Sequence, residues 1–317
     1  MAMNDKGYLD PLLSNVAVDY AQGMNKGLVA RSLFTPIEVD REDSKYPFFG
    51  KENYTVPEDS INDFEGEARR SDLSGELKSI HCIPHALKEG IDVRKNRQMD
   101  GPFKTKERDA VKRLVYKLMI QEERRAAAVV GAHANHLDLA ADGAGDTNLW
   151  SGTGGDPFAV ADAARASLWM DPNVLLLSRD VFLALKHNPV VLAKLGANEA
   201  KIVTTQTLAD LFEVSQVLIA SAQWAGSRKR GDKAVTMSRV WSKLAAFAYV
   251  TTEDQMPTAG KIFLEKAPGM DAAGFLARTW HDSGRGVEGT DMVQVSLVSK
   301  EEIVAPDCLY VVKSAIA

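Results

Sequence analysis

The sequence predicts a mixed α+β fold. One long run near residue 120 has helical spacing, several apolar runs after residue 170 have strand length, and no internal repeat is present. At 317 residues and 45% hydrophobic content, the chain can fill one large or two modest domains. Forty-three acidic against 38 basic side chains give a formal charge of −5, the wrong sign for a body that grips nucleic acid by phosphate neutralisation. Cys82 and Cys308, the only cysteines, lie far apart in the chain and form neither a disulfide framework nor a metal cluster, so a reducing compartment is expected. The stretch Met1 to Asp10 has no apolar h-region, and no run reaches the roughly 18 apolar residues of a membrane span, which leads to the expectation of a cytosolic product.

Residues 1–35 contain Gly7, Gly23 and Gly27 with short helical patches such as Val16 to Ala21, and read as an extended arm. From Pro36 to about Arg97 the chain is polar and acidic. Between Glu38 and Lys78 stand twelve Asp or Glu against six Lys or Arg, which reads as solvated surface. Within it, Leu77, Ser79, His81 and Ile83 alternate with Lys78, Ile80 and Cys82, a strand leading to Pro84 and one arm of a hairpin. Two strands alone bury too little apolar surface to stand in water, so this projection is expected to lie on something, a neighbouring subunit included.

From Thr105 to about Ala134, Val111, Leu114, Val115, Leu118 and Met119 recur at helical spacing, and Ala126, Val129 and Val130 continue the stripe. With Thr105 as N-cap, about 30 residues would run roughly 45 Å. The polar side carries Lys112, Arg113, Lys117, Arg124 and Arg125 beside Glu122 and Glu123, and reads as a solvated face with local ion pairs. A glycine-rich run, Gly143 to Gly155, ends at Asp156-Pro157, the cap and first residue of a helix through Trp169. Asp171-Pro172 breaks the chain, Asn173 to Leu177 reads as a buried strand, and Ser178 caps a helix with Val181, Phe182 and Leu185. Thr207 to Phe212 reads as helix. Val214 to Ala220, part of Val240 to Val250, Met292 to Val298 and Leu309 to Ile316 read as strands.

Chemistry is sparse. Gly152, Gly154 and Gly155 resemble a phosphate cradle, but the Gly-Lys-Ser/Thr ending is missing and Asp156 stands where the anion would sit. His81 and His85 flank Cys82, and His133 precedes His136 by three residues, without an evident third and fourth ligand. His187 and His281 stand alone, and neither Gly-x-Ser-x-Gly nor His-Glu-x-x-His occurs. No catalytic, cofactor-binding or metal residue is therefore assigned. Arg228, Lys229 and Arg230 form a sharp basic run on a glycine-flanked tip, Gly226 to Lys233, and Arg69 with Arg70 a smaller one. These five are the candidate inter-subunit contacts, with a touch on DNA phosphate the other use of the tip.

In chain order, the long helix, Trp150-Ser151 and the run from Asp156-Pro157-Phe158 to Trp169 resemble tailed-bacteriophage major capsid proteins with the HK97-type fold. Pro172 to Pro189 resembles that family's strand-then-helix segment, and Leu208 to Val214 with Val217 to Ala220 resembles the helix and strand leading into its axial domain. The resemblance covers roughly residues 30–317. It implies an N-terminal arm (1–35), an extended β-hairpin loop (36–100), a peripheral domain (101–200) with spine helix 105–134, an axial domain (201–290), and return strands of the peripheral domain (291–317).

The resemblance further implies a non-enzymatic shell protein that self-assembles into hexamers and pentamers of an icosahedral head enclosing phage DNA. Such a protein resides in the virion and is assembled in the host bacterial cytoplasm. Expected partners are copies of itself, a separate scaffolding protein, a portal, a decoration protein, and double-stranded DNA touched without sequence reading; no membrane is expected. No Lys, Asn and Glu trio is singled out for cross-linking, so non-covalent assembly is expected. Two other readings exist: an encapsulin-like compartment with the same fold, and a metal-dependent or hydrolytic α+β enzyme.

Overall fold

The computed structural model describes residues 8–23, 27–48, 50–51, 76–99, 101, 104–140, 148–152, 154–195, 202–226, 236–253, 256–266 and 274–317. In chain order the elements begin with β1 (Tyr8–Leu9), α1 (Pro11–Gly23), α2 (Ala30–Leu33), β2 (Thr35–Val39), β3 (Asp43–Phe48), β4 (Glu76–His81), β5 (Ile83–Asp92) and α3 (Val93–Arg97). Then come α4 (Glu107–Gly131), β6 (His136–Asp138), α5 (Pro157–Ser167), β7 (Val174–Ser178), α6 (Arg179–Leu185), α7 (Pro189–Lys194) and α8 (Thr205–Leu211). The chain closes with β8 (Gln216–Ala220), β9 (Gln223–Trp224), β10 (Ser238–Arg239), β11 (Ala245–Ala248), β12 (Lys261–Glu265), β13 (Leu276–Asp282), β14 (Thr290–Glu302) and β15 (Leu309–Lys313).

β14 organises the first sheet. Its 13 residues pair with β5 along one edge, while on the other edge β13 takes its first half and β12 its second. β1 and β2 extend the sheet beyond β13 and β12. Alternation along β14 turns Val293, Val295 and Leu297 inward, toward α4 and α1. Val111, Leu114, Val115, Leu118 and Met119 of α4 fill the space above them, each contributing about 2 kcal/mol on burial.

The second sheet, in the order β6, β15, β11, β7, β8, is covered on both faces. This is why Val-Leu-Leu-Leu-Ser of β7 is buried throughout. Val174 and Leu176 join the core shared with α4, while Leu175 and Leu177 join Phe247, Val312 and the apolar sides of α5, α6 and α8. Caps expected from the sequence are made: Asp156 accepts from the N–H groups of Phe158 and Ala159, and Ser178 from that of Val181. Buried Asn188 caps α7 and donates to the carbonyls of Trp150 and Gly155, tying the glycine-rich run to the helices. A Cβ on Gly155 would lie 2.1 Å from the carbonyl oxygen of Leu149, so only glycine fits there.

Four expectations need correction. The arm is not extended throughout: Pro11–Gly23 is helical, and its Leu13, Ala17 and Ala21 bury against α4. The long helix covers Glu107–Gly131, about 38 Å, with Lys106 at the cap position and no side-chain cap bond. Thr105 is instead latched to Asn96, whose side chain accepts from its N–H and donates to its carbonyl. The loop region does not project as far as residue 100, because β5 returns to the body and pairs ten residues with β14. The sheets also divide the chain elsewhere than at residues 200 and 290: β7 and β15 share a sheet with β11, while β12 and β13 lie in the sheet under α4.

Candidate functional site

Strands β3 and β4 form a two-stranded hairpin that pairs with neither large sheet. Its root is fastened. The Cys82 N–H donates to the Glu42 carbonyl at 2.9 Å, and Tyr46 and Ile80 bury in a small cluster with Cys82, Phe263, Val304 and Cys308. Further out the hairpin opens to solvent, with Leu77 61% exposed and Lys78 Nζ 3.2 Å above the Phe48 ring, while at the root His81 Nδ1 meets Asp43 Oδ1 at 2.7 Å on the surface. An anchored root with an uncovered outer part is the shape of a contact arm.

The second feature is a polar junction on the inner side of α4. Glu123, 1% exposed, accepts from the N–H groups of Val29 and Ala30, both at 2.9 Å, and from Trp241 Nε1 at 2.6 Å. Burial pushes its carboxyl above the ordinary range, against the pull of these three donors. Glu122 holds Arg31 through two bonds of 2.7 and 2.9 Å. Arg125 spans Glu301 and Ser299 on β14. For Arg31, the cost of burial is outweighed by the bond and attraction of Glu122, so its pKa is raised. The expected solvated face is therefore corrected for these residues, whose charges join the N-terminal segment, the helix, the first sheet and Trp241 ahead of β11. The signal was present in the spacing: Glu122 lies four residues after Leu118 and four before Ala126, on the apolar stripe itself.

The five expected contact residues, Arg69, Arg70, Arg228, Lys229 and Arg230, lie outside the described residues. Among the histidines, His133 is buried and its Nε2 faces the carbonyls of Pro306 and Leu309 at 3.1 and 3.0 Å, a structural role. His136 bonds the backbone at His133 and Ala134. Burial first, then nearby carboxylates, pushes the thiols of Cys82 and Cys308 to about 11 and about 12, so neither is a thiolate at neutral pH. Among the described residues no group of three His, Cys, Asp or Glu could hold a metal ion, and no helix is long and apolar enough to cross a membrane.

The fold is similar to that of several solved structures. A phage-related protein from Bordetella bronchiseptica matches with TM-score 0.73 at 19% identity over 98% of both chains. The capsid of cyanophage P-SCSP1u matches at 0.55 and 10% identity, over 90% of this chain and 87% of that one. The SrpI encapsulin of Synechococcus elongatus matches at 0.53 and 10% identity, over 92% and 89%. The fold is thus the HK97-type capsid fold. In sequence, the chain is similar to the major capsid protein of Burkholderia phage BcepMu, 26% identical over 254 residues that make up 76% of each protein. No family model matches.

Proposed function

We propose that this chain is the major capsid protein of a tailed bacteriophage, closing into hexamers and pentamers of an icosahedral head around the genome. The observation that carries the reading is the β3–β4 hairpin, anchored at Tyr46 and Ile80 and uncovered at Leu77, a limb that a second copy completes. Heterologous contacts of this kind close rings, and many small contacts add up across a shell. In this reading α4 with the β14 sheet is the peripheral body, and the sheet of β7, β11 and β15 with α5 to α8 is the axial body at the ring centre. The role is structural rather than enzymatic. A separate scaffolding protein, a portal and a decoration protein are the partners such a head calls for, and assembly takes place in the host bacterial cytoplasm. The similarity to the Burkholderia phage protein favours a phage head over an encapsulin-like compartment.

The hairpin supplies the test. Phe48 and Glu76 are cross-strand partners, so a short glycine-rich turn can replace residues 52–75 without disturbing the root. The variant is expected to melt cooperatively like the parent, yet give no closed particles in negative stain. Particles of normal size would remove residues 52–75 from the assembly mechanism, and normal particles from a Leu77→Asp variant would remove the hairpin itself.

A further inference from the structure

The fold sorts the charges of α4. Glu122 and Glu123 turn inward and Arg125 pairs with Glu301, while Lys106, Arg113, Lys117 and Arg124 stay exposed. These four are spaced seven, four and seven residues apart. At 3.6 residues per turn they fall within an arc of about 40° and form a straight row roughly 27 Å long. Glu107 is exposed and Asp109 half-buried beside Lys106, but from Ala110 to Ala132 no acidic side chain of the helix is exposed. Arg113 shares its charge with Glu89 at 2.6 Å, whereas Lys106, Lys117 and Arg124 form no ion pair among the described residues. Arg124 lies 3.6 Å from the Trp224 ring centre, which fixes the guanidinium while leaving its N–H groups free to donate. Exposed Arg94 and Lys95 of α3 lie just ahead of the row in the chain, tied toward it by the Asn96–Thr105 latch.

In a chain of net charge −5, such a row faces a regular polyanion. We infer that Lys106, Lys117 and Arg124, with Arg113 beside them, contact the phosphate backbone of double-stranded DNA. The inference rests on the capsid reading and names the face of the subunit that lines the lumen. The row offers cations without groups placed to read bases, which suits contact independent of sequence. The acidic stretch 52–75 of a second copy, with seven carboxylates against Arg69 and Arg70, is the rival occupant. A protein interface is centred on contiguous apolar surface, however, and beside the row only Tyr116, 41% exposed, and half-buried Ile120 offer any among the described residues of the helix.

The test is fluorescence anisotropy of a mixed-sequence duplex of about 30 base pairs with the full chain at rising salt. Replacing Lys106, Lys117 and Arg124 by Gln is expected to reduce the log–log salt slope by about 2.7, and Lys117→Gln alone by about 0.9. Lys88, Arg278 and Lys300 lie on the opposite face of the sheet, and their replacement by Gln is expected to leave the slope unchanged. Equal losses in both triple variants, no binding by the wild type, or a row variant that loses only a 52–75 peptide would each overturn the inference. Anisotropy is read on the unassembled subunit, where that face is open, and negative stain on the same protein concentrated to assembly: particles with a subunit slope untouched by the row variant sink this inference alone, and absence of particles sinks the capsid reading.

Discussion

Glu123 shows how one side chain can determine whether a segment docks. Three N–H donors from two distant stretches converge on its carboxylate, and each would be buried without an acceptor if it were removed. Glu123→Ala is expected to cost about 3 kcal/mol or more, read by urea unfolding. A loss below about 1 kcal/mol would mean that water reaches the junction. His133 sets a pH dependence. Burial is the largest influence on it and lowers its pKa from the ordinary 6.5; His85, whose buried Nε2 has no hydrogen-bond partner among the described residues, moves the same way through burial and then the charge of Arg125. The unfolded chain therefore takes up these protons first. Their stabilisation is complete above about pH 6.5 and is lost as pH falls through the lower folded values. The melting temperature is expected to fall below pH 6.5, and His133→Gln to flatten that part of the profile. An unchanged slope in the variant would assign the dependence elsewhere.

Among the elements, α1 is the one whose docking depends most simply on size and polarity. Ala17 is fully buried against α4, so Ala17→Asp places an unpaired charge in that contact. Hydrogen exchange is expected to quicken in residues 11–23 while β14 stays protected; loss of protection throughout would show that α1 is integral to the core. Elements with strong local signals were legible in the sequence. The stripe of α4, the Asp156-Pro157 start of α5 and the apolar β7 all carry their own period or cap. β12 and β13 were missed because Lys261 and Glu265 bracket only three apolar residues, and Leu-Ala-Arg-Thr-Trp-His-Asp of β13 has little alternation; pairing with β14 makes both strands. The stripe position of Glu122 was legible, but the partners that Glu122 and Glu123 bury against were not, since they lie more than 90 residues away.

For the whole molecule, sequence order conceals spatial order. β15 closes a sheet with β7 and β11 while β14, just before it, runs in the other, so contiguous domain boundaries cannot describe this chain. The fold class was readable because the long helix and the Pro172–Pro189 block are local patterns, whereas the division into two bodies depends on pairings between distant residues. The second sheet is covered on both faces and the first by α1 and α4 on one, which leaves the β3–β4 hairpin as a limb without a cover of its own, and the account stands on what completes it. The direct measurement is sedimentation combined with negative-stain microscopy of the purified full chain at rising concentration, alone and co-expressed with neighbouring genes. Rings of five or six copies, or closed shells, are the predicted species. A protein that stays a monomer at every concentration and beside every neighbour would contradict the account.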